Sequence, residues 1–143
     1  MITGRSFAPD VASIRAARRF VLDAVGDAGS ERRDAISVMV SELAMNAVQY
    51  AHTTFDVRME LTADSLRVEV TDSGAGIPEI QPLPPASSPH GRGLFIVARL
   101  SDEWGIIPAA GGSQKGVWFR VDMRDGPGAG PAPGAGQAQG MRS

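Results

Sequence analysis

Glu42 and Asn46 are four residues apart in the segment SELAMNAV, and their side chains could together bind a cation and act as an acid or base. Four-residue spacing stacks two side chains on one face of a helix. A carboxylate there can take a proton from a nucleophile, and an amide oxygen can ligate Mg²⁺. A solvated flank beside an apolar stripe has the same pattern. The pair alone therefore allows both interpretations.

A second motif begins with an acid at the end of an alternating strand. In VTDSGAGIP, Asp72 follows Val68 and Val70 at intervals of two, so its parity points it toward the apolar side of the sheet. A buried carboxylate needs a hydrogen-bonded or charged partner. Gly74 and Gly76 are typical either of a plain turn or of a loop that a ligand approaches closely.

Two familiar phosphate-binding loops do not fit this glycine pattern. A dinucleotide-binding loop needs a third glycine that opens a helix, whereas Ile77 and Pro78 follow here. A Walker loop needs a Gly-Lys-Ser/Thr ending, which this segment lacks. The remaining interpretation is a base-recognition site, in which Asp72 accepts a hydrogen bond from an exocyclic amine such as adenine N6.

The third motif is a pair of glycines ahead of an apolar run. Gly91 and Gly93 precede residues 94–100, which read as a helix. A helix N-terminus reached through glycines presents free N–H groups and positive potential to an anion such as phosphate. The apolar run itself is most simply part of the core.

Periodicity around these motifs predicts an α+β domain, a two-layer α/β sandwich with three helices on one face of a mixed, mainly antiparallel sheet. The predicted strands are an edge strand at 5–8, a pair at 55–61 and 66–72, and a hairpin of 104–107 with 117–123. The first predicted helix is capped by Asp10, and its apolar stripe is formed by Val11, Ile14, Val21 and Val25. A long helix capped by Ser30 has Ile36, Val40, Leu43, Ala47 and Tyr50 facing the core, and a third helix spans 93–100. We expect the ligand between the two layers.

Composition narrows the class of protein. The chain has 143 residues, 43% of them hydrophobic and 21% charged, which suits one globular domain. A net charge of -2 argues against a general nucleic-acid or membrane-surface binder. The absence of cysteine, of a signal segment and of a long apolar run makes the cytoplasm the expected location. Lys115 is the only lysine among 14 basic residues, a bias to which we assign no chemistry.

The C-terminal segment has a composition of its own. Residues 126–143 are rich in Gly, Pro and Ala and have no apolar periodicity. Such a segment cannot bury enough surface to offset its ordering entropy. We therefore expect a folded domain at 1–125 and a disordered tail at 126–143.

In this order, the three motifs resemble those of the ATP-binding domain shared by gyrase, Hsp90 and histidine kinases. They are most similar to its short, stand-alone branch, the anti-sigma-factor serine/threonine kinases. The resemblance covers about residues 5–123 and rests on SELAMNAV, VTDSGAGIP and GRGLFIVARLSDEWG, with GVWFRV as the closing strand. It implies the Bergerat-type fold, which is the α/β sandwich already predicted.

The resemblance also implies a role for each motif. Asn46 would hold Mg²⁺, Glu42 would be the catalytic base, and Asp72 would bind the adenine amine. Gly74 and Gly76 would line the adenine pocket. The implied nucleotide-binding set is Asn46, Asp72, Gly74, Gly76, Ile77, Gly91, Arg92, Gly93 and Leu94, with Gly91 and Gly93 contacting the phosphates beneath a lid.

As a function, the resemblance implies a regulator that binds ATP and Mg²⁺. Such a protein sequesters a sigma factor and phosphorylates a serine or threonine of an anti-anti-sigma antagonist of the STAS type. A homodimer is compatible with this branch, and direct contact with nucleic acid or a membrane is not expected.

The chain departs from the family pattern in two places. Gly116 is followed by Val117, where many relatives have a threonine that supports the adenine contact. The lid, residues 79–90, contains Pro82, Pro84, Pro85 and Pro89, which cannot donate backbone hydrogen bonds. Two alternatives stay open. One is a non-catalytic switch whose nucleotide sets the affinity for a partner, and the other is a detached histidine-kinase catalytic domain that needs its phosphoacceptor in trans.

Overall fold

The structure, a computed structural model, describes residues 1–51, 53–73, 93–108 and 114–124. These residues form five strands, three α-helices and one π-helical turn. In chain order they are β1 (Ile2–Phe7), α1 (Val11–Val25), α2 (Ser30–Asn46), a π-helical turn (Ala47–Ala51), β2 (Phe55–Leu61), β3 (Ser65–Asp72), α3 (Gly93–Leu100), β4 (Glu103–Ile107) and β5 (Lys115–Asp122). No helix in these ranges is long and apolar enough to cross a membrane.

The strands form one sheet in the order β1-β2-β3-β5-β4, and all four pairings are antiparallel. The predicted α+β sandwich with a mainly antiparallel sheet is confirmed. β3 pairs with β2 on one side and with β5 on the other, which places Asp72 opposite both Phe55 and Lys115. The end of β3 is therefore surrounded by strands.

A hydrophobic core lies between the inner face of the sheet and the three helices. Alternate residues of β2, β3 and β5 point into it, as expected for strands covered on one face. Its fully buried large side chains are Val21, Ile36, Met39, Val40, Phe55, Val57, Met59, Leu66, Val68, Val97 and Phe119. The three elements that carry the motifs, α2, β3 and α3, thus all contribute to the core.

The start of α1 agrees with the predicted cap, and the predicted stripe residues Ile14, Val21 and Val25 pack in or against the core, whereas Val11 does not. Asp10 accepts a hydrogen bond from the backbone N–H of Ser13 at 3.1 Å, so the cap is confirmed. Val11, predicted on the apolar stripe, is 77% exposed. The buried side of the helix is formed by Ser13, Ala17 and Val21. At about 100° per residue Val11 lies roughly 120° away from Ala17, so it faces water.

The predicted cap of the long helix was wrong. Gly29, with a φ of 89°, is the N-cap of α2, and Ser30 is the first helical residue and makes no capping bond. Gly29 takes a backbone conformation that residues with a Cβ atom rarely adopt. The predicted core residues Ile36, Val40, Leu43 and Ala47 are buried, whereas the Tyr50 side chain lies outside the described residues.

Two strands begin more than one residue before their predicted start. β1 begins at Ile2, earlier than the predicted edge strand at 5–8. β5 begins at Lys115 and not at 117. The prediction missed its first two residues because a charged residue and a glycine do not show the apolar alternation of a strand. The predicted lid at 79–90 and the predicted tail at 126–143 lie outside the described residues.

Candidate functional site

The side chain of Asn46, the last residue of α2, lies against the first residue of α3. A Cβ atom at Gly93 would stand 2.8 Å from Asn46 Nδ2 and 3.6 Å from Oδ1. The amide therefore fills the space that a side chain at the start of α3 would take. Any larger residue at this position would displace the amide. The position of the Asn46 side chain, in the first motif, therefore depends on Gly93, in the third.

The end of α2 is held in place by the core. Leu43, Ala44 and Ala47 are buried, and Glu42 and Asn46 on the flank are half-buried, as their angular position predicted. After Asn46 the helix continues as the π-helical turn, which contacts β3. π-Helical turns of this kind are frequent at functional sites. The helix end with Asn46 is thus positioned beside the strand that carries Asp72.

Asp72 is buried at the end of β3, as its parity predicted, and is paired with Lys115. The Lys115 Nζ atom lies 2.7 Å from Asp72 Oδ1, and the two side chains are 10% and 11% exposed, respectively. At this distance the ammonium donates a charge-assisted hydrogen bond to the carboxylate. The partner that a buried acid requires is therefore the single lysine of the chain.

Gly116 determines where Lys115 meets Asp72. It lies opposite Thr71, and a Cβ atom on it would collide with the backbone carbonyl oxygen of Val70 and stand 2.8 Å from the Thr71 Cα atom. Neither atom can move without disturbing β3. Only a glycine allows β5 to pack this closely, and this packing places Lys115 directly opposite Asp72.

On the outer face, side-chain hydrogen bonds fix the start of β5. Gln114 donates from Nε2 to Asp56 Oδ2 at 2.8 Å and accepts at Oε1 from the Thr71 hydroxyl at 3.1 Å. Ser6 donates to the other oxygen of Asp56. These hydrogen bonds attach Gln114 to β2 and β3 on the outer face. Lys115, the next residue, therefore points to the inner face.

Residues 7–121 match the family model described as a histidine kinase-like ATPase domain. This range includes most of the chain, from the end of β1 to the end of β5. The chain belongs to this family. A search of curated proteins found no significant match. Membership of the histidine kinase-like ATPase family indicates ATP binding and an ATP-using activity of the kinase type.

The donor set of this ATPase-family chain fits Mg²⁺ that is bound together with a nucleotide. Among the described residues, no group of three or more His, Cys, Asp or Glu is placed to hold a metal ion. Mg²⁺ usually takes one or two protein oxygens and completes its octahedral shell with phosphates and water. The half-buried Asn46 amide beside the N-terminus of α3 offers one such oxygen.

The Asp72 carboxylate also suits the ATPase family's ligand. A carboxylate has two oxygens and about four acceptor positions. The hydrogen bond from Lys115 uses one of these positions at Oδ1. Accepting from Lys115 therefore does not by itself prevent the Asp72 carboxylate from accepting from a ligand amine.

Five of the predicted site residues lie within the described structure: Glu42, Asn46, Asp72, Gly93 and Leu94. Asn46 contacts Gly93, and Leu94 next to it is buried in the core cluster. Asp72 is at the buried end of β3, and Glu42 lies one turn before Asn46. The remaining predicted residues, Gly74, Gly76, Ile77, Gly91 and Arg92, lie outside the described residues.

Sequence reasoning missed Lys115. Two signals were available: its inward parity relative to Val117 and Phe119, and the need of Asp72 for a charged partner. A predicted closing strand that began two residues earlier would have placed Lys115 on the inner face, near Asp72. The glycine at 116 hid this extension, because glycine is usually interpreted as the end of a strand.

Proposed function

We propose that the protein is an ATP- and Mg²⁺-dependent regulator of the anti-sigma kinase type. It sequesters a sigma factor and phosphorylates a serine or threonine of an anti-anti-sigma antagonist of the STAS type. The contact between the Asn46 amide and Gly93, in a chain of the histidine kinase-like ATPase family, is the observation that supports it most. The choice of partners is supported by the similarity of the three motifs to the stand-alone branch.

In the proposed mechanism, α2 supplies both groups that act on the transferred phosphoryl. Asn46 would hold Mg²⁺ through its amide oxygen, and the ion, when bound, would supply charge neutralisation at the nucleotide phosphates. Glu42, one helical turn earlier, takes the proton of the substrate hydroxyl. The hydroxyl oxygen forms the new bond to the γ-phosphorus as the bond to the β,γ-bridging oxygen breaks, and ADP leaves.

The sheet and α3 position the nucleotide in this proposal. The Asp72 carboxylate accepts a hydrogen bond from the adenine amine, next to a pocket lined by Gly74, Gly76 and Ile77. The free N–H groups at the start of α3, with Gly91, Arg92, Gly93 and Leu94, face the phosphates. The core that α2, α3 and β3 share fixes Asn46, Asp72 and the first residues of α3 relative to one another before the nucleotide binds.

Transfer from radiolabelled ATP to candidate antagonist proteins encoded by neighbouring genes tests the catalytic role of Glu42. We expect Glu42→Gln to keep ATP binding, measured by calorimetry, and to lose transfer by roughly 10²- to 10⁴-fold, the range typical of a general base. Glu31→Gln is the matched control, because Glu31 is exposed in the first turn of the same helix. Wild-type transfer by Glu42→Gln would remove Glu42 from the mechanism.

A second variant separates binding from chemistry. Asn46→Ala should weaken ATP binding in the presence of Mg²⁺ and have little effect on binding in its absence. If no candidate antagonist is labelled while ATP still changes the affinity for a sigma factor, the protein is a nucleotide-dependent switch and the kinase proposal is wrong.

A further inference from the structure

The Lys115 ammonium has more donors than the described part of the chain uses. An ammonium carries three N–H donors. Among the described residues its single acceptor is Asp72 Oδ1, at 2.7 Å. The side chain is 10% exposed, so the remaining donors have little access to bulk water. A buried donor therefore lies directly beside the buried acceptor to which the adenine amine is assigned.

The edge of adenine has the complementary arrangement. Its N6 amine donates a hydrogen bond, and the adjacent ring nitrogen N1 accepts one. We propose that Lys115 donates to N1 while Asp72 accepts from N6, which makes Lys115 a specificity-determining residue of the nucleotide site. This inference rests on the proposed binding of ATP at Asp72.

The surroundings of Lys115 favour a role in recognition. A buried ion pair contributes little to stability, because removing two charges from water costs about as much as their attraction returns. The next inward residue of β5, Val117, is apolar and cannot donate. Gly116 and the hydrogen bonds of Gln114 fix the backbone on either side of the lysine. The ammonium is thus held in place before a ligand arrives, as a recognition group should be.

The same pair of groups disfavours guanine in that position. Guanine presents a carbonyl oxygen where adenine has its amine, and an N–H where adenine has the bare N1. The carbonyl would face the Asp72 carboxylate and the N–H would face the Lys115 ammonium, so both contacts would be repulsive. Lys115 and Asp72 together therefore select adenine by attraction and exclude guanine by repulsion.

Calorimetric titration with ATP and with 1-deaza-ATP, in which N1 is replaced by C–H, tests this role. We expect the wild-type protein to bind 1-deaza-ATP roughly 10- to 100-fold more weakly than ATP, the value of one charge-assisted hydrogen bond. In Lys115→Met, ATP should bind more weakly and the difference between the two ligands should fall below about threefold. Arg120→Met, on the opposite face of β5, should keep the wild-type difference.

Two results would overturn the inference while leaving ATP binding intact. One is equal wild-type affinity for the two ligands, and the other is a full penalty for 1-deaza-ATP in Lys115→Met. Should Lys115→Met fail to fold by circular dichroism, Lys115→Gln takes its place, since its amide still donates but carries no charge. In Lys115→Gln we expect a smaller loss of affinity for 1-deaza-ATP relative to ATP than in the wild-type protein. An unchanged loss would contradict the proposed hydrogen bond from Lys115 to N1. A wild-type protein that binds neither ligand would instead overturn the proposed function itself.

Discussion

Two ion pairs of β5 have nearly the same geometry in opposite surroundings. On the inner face, Lys115 Nζ lies 2.7 Å from Asp72 Oδ1, with the side chains 10% and 11% exposed. On the outer face, Arg120 Nε lies 2.6 Å from Glu103 Oε1, and both side chains are 30% exposed. The outer pair keeps part of its hydration, whereas the inner pair has lost most of it.

The burial of the inner pair is by itself no evidence that the pair stabilises the fold. Exposed pairs contribute about 0–1 kcal/mol, and they cost little because water still screens them. A buried pair is often no more stable than apolar residues of the same volume. The outer face has the usual character of a solvated sheet, where Arg67 stacks 4.6 Å from the Trp118 ring centroid. The proposed nucleotide, whose adenine would contact both charges, would account for the inner pair.

The largest effect should come from the residue that places the inner pair. Gly116→Ala puts a Cβ atom into the Val70 carbonyl and 2.8 Å from the Thr71 Cα atom. We expect a loss of about 3–5 kcal/mol in the free energy of unfolding, measured in urea, because no flexible side chain can move aside. Gly4→Ala, whose Cβ would lie 3.4 Å from the Val57 carbonyl oxygen, is the control and should lose less than about 1 kcal/mol. Similar losses in both variants would show that β3 and β5 adjust freely.

Removing one cation from each pair compares the two faces directly. Lys115→Met leaves a buried carboxylate without its cation and should cost on the order of 3 kcal/mol of unfolding free energy. Arg120→Met leaves Glu103 with access to water and should cost less than about 1 kcal/mol. Equal losses in urea unfolding would mean that the inner pair is as well solvated as the outer one.

The double variant Asp72→Leu/Lys115→Met removes both inner charges at once. Its stability should lie within about 1 kcal/mol of the wild-type value, because no unpaired charge remains in the core. The corresponding double-mutant cycle in urea unfolding measures the coupling between the two side chains. A double variant that loses as much as the two single variants together would show that the charges act independently.

The smallest effect should come from Asp122, at the outer end of β5. The hydrogen bond from the Arg124 backbone N–H holds the pKa of the Asp122 carboxyl below its ordinary value. A lowered pKa stabilises the folded state above the unfolded pKa, and this contribution is lost as the pH falls below about 4. Asp122→Asn should therefore reduce stability slightly at pH 7 and not at pH 2. The melting temperatures of the wild-type protein and the variant, measured from pH 7 to pH 2, give this difference in stability. A larger loss at pH 2 than at pH 7 would contradict a lowered pKa of Asp122.

Periodicity predicted the fold because the core depends on regular alternation. Phe55, Val57 and Met59 in β2 and the apolar face of α2 follow their periods without interruption, and the two-layer sandwich follows from them. The N-cap at Asp10 was equally readable, since its side chain acts on a residue three positions away. Val11 was misplaced because an apolar residue in the first turn of a helix carries no information about which side is covered.

The site was only partly readable from the sequence. The inward position of Asp72 follows from local alternation, whereas its pairing with Lys115 joins residues 43 positions apart. The contact between Asn46 and Gly93 likewise depends on how α3 docks on α2. Contacts of this kind are set by tertiary packing, which local spacing does not encode.

The central claim is that the buried Asp72 and Lys115 serve nucleotide binding and not the stability of the fold. Calorimetric titration of the Asp72→Leu/Lys115→Met variant with ATP and Mg²⁺, next to the wild-type protein, tests it most directly. We predict saturable binding by the wild-type protein and no binding by the variant, although the variant melts cooperatively near the wild-type temperature. Wild-type ATP affinity in the folded double variant would contradict the claim.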